Sequence, residues 1–135
     1  MIDPRIADSF ARQTMMASLH ARLIEAAGGR CVIRAPLLEG FRQQHGAAHA
    51  AVAFALGDSA AGYAALTQLP EGQEVMTAEM KINLLAPATG ESLEAFGEVL
   101  RTGRRLTVVR AEVVALQGDA RKTIALLQGT MIGVT

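Results

Sequence analysis

The chain has 135 residues, half of them apolar, with thirteen basic and thirteen acidic side chains and a formal net charge of zero. One domain of this length buries roughly two thirds of its unfolded surface, and the neutral balance argues against a nucleic-acid binder, which shows a basic excess. The single cysteine, Cys31, excludes an intrachain disulfide and a cysteine zinc site, and suits a cytoplasmic setting.

The N-terminal Met1-Ile-Asp-Pro-Arg has no apolar run after a basic start, so no signal peptide is expected. Asp3 to Ala27 reads as one amphipathic helix, with Pro4 in the first turn after an Asp cap and Gly28-Gly29 as its stop. Arg30 to Ala35 alternates and predicts a short strand. Pro36 to Ala47 is a polar loop. Ala47 to Leu69 predicts a long, alanine-rich helix ended by Pro70-Glu71-Gly72. It is long enough to cross a bilayer, but a carboxylate at mid-span, Asp58, is costly in lipid. A helix apolar all round is read instead as the buried centre of a soluble fold, with no membrane contact expected.

From Glu74 the period becomes two. Ala78, Met80, Ile82 and Leu84 share one expected face, with Thr77, Glu79, Lys81 and Asn83 on the other. Three more strands follow, Leu93 to Leu100, Leu106 to Leu116 and Lys122 to Val134, joined by turns at Thr102-Gly-Arg-Arg105 and Gln117-Gly-Asp-Ala120. Helix, strand, long apolar helix and a four-strand meander predict a single α+β domain over 1–135. Its antiparallel sheet of about five strands wraps a central helix, the hotdog arrangement, with a further helix at the N-terminus.

Stepping by three and four along the long helix aligns Ala51, Ala55, Asp58 and Gly62. A carboxylate in a stripe of small side chains is either a general base or nucleophile at a cleft, or an acid satisfied by a local donor; these residues alone leave both readings open. The start of the same helix presents backbone N–H groups with no intrahelical acceptor, suited to an oxyanion. His49 and Asp58 are nine residues apart, on opposite helical faces, so no metal site and no cofactor are expected. Tyr63 and Phe54 either line a ligand pocket or belong to the core, and with few aromatic residues in the chain such a pocket is expected to be mainly aliphatic and alanine.

The run from Gln43 through Gly46, His49-Ala50-Ala51 and Asp58 resembles the signature of the phenylacetic-acid-degradation (PaaI-like) hotdog thioesterases. Those carry Asn or Gln, a Gly three positions on, then His-Gly-Gly, and an acid nine positions after the His. Thr77 to Ala88 is similar to the family strand that ends in a Pro-Ala turn, with a Ser or Thr ten positions before Pro87. Gly103-Arg104-Arg105 and the strand after it are similar to the family's hairpin. The resemblance covers roughly 15 to 132, and His-Ala-Ala departs from His-Gly-Gly.

The resemblance implies an acyl-CoA thioesterase acting as a homodimer or homotetramer, with its site between two subunits. It implies Asp58 as base or nucleophile, Gln43 orienting water or the thioester oxygen, Thr77 hydrogen-bonding near the carboxylate or the water, and the Ala50 N–H holding the oxyanion. It places Gly46, His49 and Ala51 beside the substrate, and Arg104 and Arg105 near the CoA phosphates, although arginines in a hairpin are often simply solvated. A non-catalytic acyl-CoA-binding domain is the competing expectation. A hydratase of this fold is set aside, because its Asp and His five residues apart are missing.

Overall fold

The computed structural model describes Met1–Thr135. Helices α1 (Pro4–Arg12) and α2 (Thr14–Ser18) lead into strands β1 (Arg22–Ala27) and β2 (Arg30–Pro36). After a 3-10 turn at Glu39–Phe41 comes α3 (Ala50–Leu66), then β3 (Glu74–Leu84), β4 (Ser92–Thr102), β5 (Leu106–Gln117) and β6 (Ala120–Val134). All six strands pair antiparallel in one sheet, ordered β1-β2-β4-β5-β6-β3.

The sheet thus has six strands, not about five, and the expected helix to Ala27 is two short helices and a strand. Asp3 caps α1 by accepting from the Arg5 N–H at 2.9 Å. Gln13 then adopts extended backbone and ends it. His20, at φ 55°, turns the chain out of α2. Gly28 and Gly29, at φ 60° and 80°, join strands whose ends Ala27 and Arg30 are paired. Positive φ at both loop residues is the two-residue hairpin geometry, which glycine adopts without a side-chain clash. The Gly-Gly pair is therefore a hairpin, where the sequence suggested a helix stop.

Helix α3 explains the alanine bias. It lies in the concave face of the sheet, with Leu56, Ala60, Ala61, Ala64 and Ala65 fully buried. The facing strands also offer small side chains, among them Ala95, Ala111 and Ala125. Gly97 on β4 is the closest approach: a Cβ there would overlap the backbone carbonyl of Ala60. Larger flanking residues, Ile33, Leu93, Val113 and Leu127, fill the space on either side. Each buried aliphatic of this size contributes roughly 1.5–3 kcal/mol. The helix begins at Ala50, later than Ala47, because Ala48 is still extended and bridges Arg42. At its other end, Arg5 donates to the carbonyls of Leu66 at 2.8 Å and Leu69 at 3.0 Å, placing a cation at the negative end of the helix dipole.

The two edges of the sheet, β1 and β3, each carry a bulge. In β1 the register shifts around Ile24, and in β3 around Ala78. Beyond the second bulge Thr77 pairs with Met131, while Met80, Ile82 and Leu84 pair with Gly129, Leu127 and Ala125. Thr77 therefore shares the helix-facing side with Met80, Ile82 and Leu84. Strict alternation had put it on the other face; one unpaired residue reverses the phase of everything before it.

Candidate active site

The first half of α3 is buried on one side only. Ala51 and Phe54 are exposed and Ala55, Asp58 and Ser59 are half-buried, so the stripe inferred from helical stepping is the open face of the helix. Asp58 sits in its middle. Thr77 Oγ1 donates to Asp58 Oδ1 at 2.8 Å. That hydroxyl also lies 3.4 Å from Met131 Sδ, but it has one proton, and the shorter bond to a charged acceptor wins. Asp58 forms no ion pair with any cation of the chain. Burial pushes its pKa above the ordinary carboxylate range, and the Thr77 hydrogen bond offsets part of that rise by favouring the ionised form. The only thiol is a poor alternative nucleophile: Cys31 is fully buried and its pKa is pushed up to about 12, first by burial and then by Glu25.

Asp58 opens into a cavity of about 380 Å³ whose wall is mostly polar. Gln13, at the break between α1 and α2, donates from Nε2 to Tyr63 Oη at 3.0 Å and accepts at Oε1 from Ser59 Oγ at 3.3 Å. Ser9 Oγ lies 3.1 Å from the same Tyr63 oxygen. The Tyr63 ring is buried and tilts against Phe10 at 6.1 Å between centroids, so Tyr63 is both core and cavity wall. The expectation of an aliphatic and alanine lining fails here. Ser9, Gln13 and Ser59 were passed over because they fall in segments read as plain helix; an amide at a helix break is the signal that could have drawn attention.

A second cavity, about 540 Å³, opens at the start of α3 and does have an alanine and leucine lining, with Gln43 and His49 at its edge. His49 is the N-cap: its Nδ1 accepts from the Ala51 N–H at 2.9 Å, which leaves the proton of a neutral ring on Nε2. The Ala51 N–H is therefore occupied, whereas the Ala50 N–H has no acceptor within the chain. Gln43 Oε1 accepts from the N–H groups of His45 at 2.6 Å and Ala47 at 3.3 Å, leaving the amide nitrogen to donate. Gly46 does not line this cavity. At φ 91° it makes the tight return that brings Gln43 back to the helix start.

Arg104 and Arg105 lie in the β4–β5 hairpin, exposed and outside every ion pair. Leu106 and Thr107 just after them pair with Ile132 and Met131, and Met131 pairs in turn with Thr77. The hairpin therefore sits at the Asp58 end of the sheet. Gln43 and the free Ala50 N–H sit at the other end: Ala50 and Asp58 are eight residues, about 12 Å, apart along α3. Within one chain the predicted residues thus form two clusters rather than one.

A carboxylate on the open side of a helix cradled by an antiparallel sheet, with a bare N–H at the helix start, is the setting for the comparison with known proteins. Residues 45–121 match the family model described as the thioesterase superfamily. The chain belongs to the thioesterase superfamily. A thioesterase family protein from Silicibacter pomeroyi superposes with a TM-score of 0.94 at 38% identity, covering 96% of each chain. The PaaI protein of E. coli, from the phenylacetic acid degradation operon, has a TM-score of 0.86 over 96% of this chain and 90% of its own; at 22% identity it shows the shared hotdog fold. A protein of Saccharolobus solfataricus that carries a provisional esterase name is 33% identical over 94 residues, 70% of this chain. The matched stretch spans 66% of that relative's length. The reading of this chain as a hotdog thioester hydrolase stands on that family membership. No helix of this thioesterase is long and apolar enough to cross a membrane.

Proposed function

We propose that the protein hydrolyses an acyl-CoA thioester, with Asp58 as general base in a site shared by two subunits. The observation that carries this is Asp58 itself: an ionisable group, partly desolvated, held by one hydroxyl, without a cation, at the mouth of a cavity. A raised pKa makes a carboxylate a stronger base and suits it to taking a proton from water.

Strand β3 is an unpaired edge of eleven residues, with Met76, Leu84 and Leu85 about half exposed along it and just beyond. A long, partly apolar edge favours pairing with another strand. Pairing two copies of β3 antiparallel about a two-fold axis lays the Thr77 end of one beside the Leu84 end of the other. The Asp58 cavity of one subunit then meets the Gln43 and Ala50 cavity of its partner. In this arrangement Asp58 takes a proton from water and the water oxygen adds to the thioester carbon. The carbonyl electrons move onto oxygen, which the Ala50 N–H of the other subunit holds. Collapse of that adduct re-forms the carbonyl and expels the CoA thiolate, which takes up a proton. The amide nitrogen of Gln43 orients the carbonyl or the water. Replacing the glycines of the family pattern with Ala50 and Ala51 keeps both N–H groups. Arg104 and Arg105 receive CoA phosphates, for which paired guanidinium groups are well suited.

The test is complementation. Asp58→Asn and Gln43→Ala proteins are inactive alone, and are then mixed under conditions that let subunits exchange. Half the dimers become hybrids with one intact site of two, so about a quarter of wild-type thiol release returns. A mixture as inactive as its components overturns the shared site. Wild type that binds acyl-CoA without releasing thiol makes the protein a binding domain instead.

A further inference from the structure

The cavity beside Asp58 points to the kind of acyl group this protein accepts. We infer that Gln13, Tyr63, Ser9 and Ser59 form a specificity wall that selects a neutral acyl chain carrying a hydroxyl about one helical turn beyond the reacting carbonyl. The inference rests on the thioesterase reading and adds the substrate class to it.

Gly62 and Tyr63 lie one turn past Asp58 on α3, about 6 Å along the axis. Gly62 leaves room there: a Cβ would meet only the Met131 side chain and Val75 at ordinary contact distance. The polar groups around this space bond one another without being used up. Gln13 Nε2 has two protons and spends one on Tyr63; Gln13 Oε1 has two lone pairs and spends one, in a long 3.3 Å bond, on Ser59. The Ser9–Tyr63 hydrogen bond can run in either direction, and whichever hydroxyl accepts keeps its own proton free for a ligand. Spare donors and spare acceptors side by side match a hydroxyl, which is both. A purely aliphatic chain in the same place would cover these groups without replacing the water they bond.

The charges at the mouth argue against an anionic acyl group. Glu74 lies in the wall with Asp58, and Arg12, the one cation there, already pairs with Asp8 at 3.1 Å. The N-terminal segment thereby gains a function beyond packing: it carries Ser9 and Gln13 to the helix, while Arg5 secures it at the end of α3.

The experiment compares straight-chain acyl-CoA esters with and without one hydroxyl, at the fourth, fifth or sixth carbon, by thiol release. Wild type is expected to favour at least one hydroxylated ester over its parent by about tenfold or more in kcat/KM, since a site built to bond a hydroxyl rejects the analogue lacking it. Gln13→Leu and Tyr63→Phe, each checked for an intact thermal transition, bring that ratio close to one, chiefly by raising KM for the hydroxylated ester. A merely structural role would lower both esters together and leave the ratio unchanged. A wild-type ratio near one, or a ratio that survives both substitutions, overturns the inference alone. No thiol release from any ester overturns the thioesterase reading and this inference with it.

Discussion

Thr77→Val isolates one bond of the site. Valine keeps the branched shape on β3 but loses the hydroxyl that donates to Asp58 at 2.8 Å. The bond stabilises the ionised carboxylate and not its neutral form, so removing it raises the Asp58 pKa further. Hydrogen bonds to charged groups contribute roughly 1.5–3 kcal/mol. Thr77 is solvent-exposed, which places this one at the bottom of that range, and about 1.4 kcal/mol is a tenfold change in the ratio of ionised to neutral Asp58. The assay is kcat/KM for thiol release against pH, which reports groups of the free enzyme. Activity that needs ionised Asp58 falls as pH falls through its pKa. The acid limb of Thr77→Val therefore lies at higher pH, and below the limb the rate is about tenfold lower than wild type. A limb that stays in place, or one that moves to lower pH, refutes the role given to this bond.

Asp58→Asn lowers kcat by at least about a hundredfold, the low end for a lost general base. It also raises Tm at neutral pH. A carboxyl whose pKa is raised by folding contributes stability below its unfolded value and loses it as pH rises through the folded value, so the charged form is a cost at neutrality that asparagine lacks. Melting curves of the two proteins converge in acid; a lower Tm for the variant at neutral pH contradicts this. Reversing both Arg104 and Arg105 to Glu raises KM for acyl-CoA with little change in kcat, and an unchanged KM removes them from the binding surface. Gly97→Ala drives a methyl into the Ala60 carbonyl, two residues from Asp58. With rigid backbone on both sides the cost lies near the top of the usual overpacking range, about 3 kcal/mol, seen as a Tm lower by roughly 10 °C; an unaltered Tm means α3 can move away freely.

The long helix was legible as an unbroken alanine-rich run ended by Pro70-Glu71-Gly72, and the strands after it because Glu74 to Leu84 alternates and the later runs are separated by turns that carry Pro or Gly. The first thirty residues were not. Apolar residues at Ile6, Phe10, Met16, Leu19 and Leu23 mimic one helical face, and nothing local distinguishes Gly-Gly as a hairpin from Gly-Gly as a helix stop. The strand identity of Arg22–Ala27 comes from its pairing with β2, a tertiary fact. Asp58 stood out from helical stepping and Thr77 through family spacing, yet the side of β3 that Thr77 occupies depends on the bulge at Ala78, and an unpaired residue leaves no mark in a hydropathy pattern. The polar wall was hidden for a different reason: Gln13 meets Ser59 and Tyr63 across 46 and 50 residues of chain.

The bulges at Ile24 and Ala78 also bear on lateral association between copies of the sheet. With no net charge at pH 7 and a pI near 6.8, copies gain no long-range repulsion. A six-stranded sheet with two flat open edges would then be a template for unlimited lateral stacking, the geometry of a fibril. Each edge is instead interrupted: β1 is short and shifts register at Ile24, while the ladder of β3 is split at Ala78 into Glu74–Thr77 and Glu79–Leu84. Growth of the sheet beyond the proposed pair of β3 edges is limited by shape where charge gives no protection. Straightening either edge, at constant charge and with an intact core, moves the protein toward precipitation.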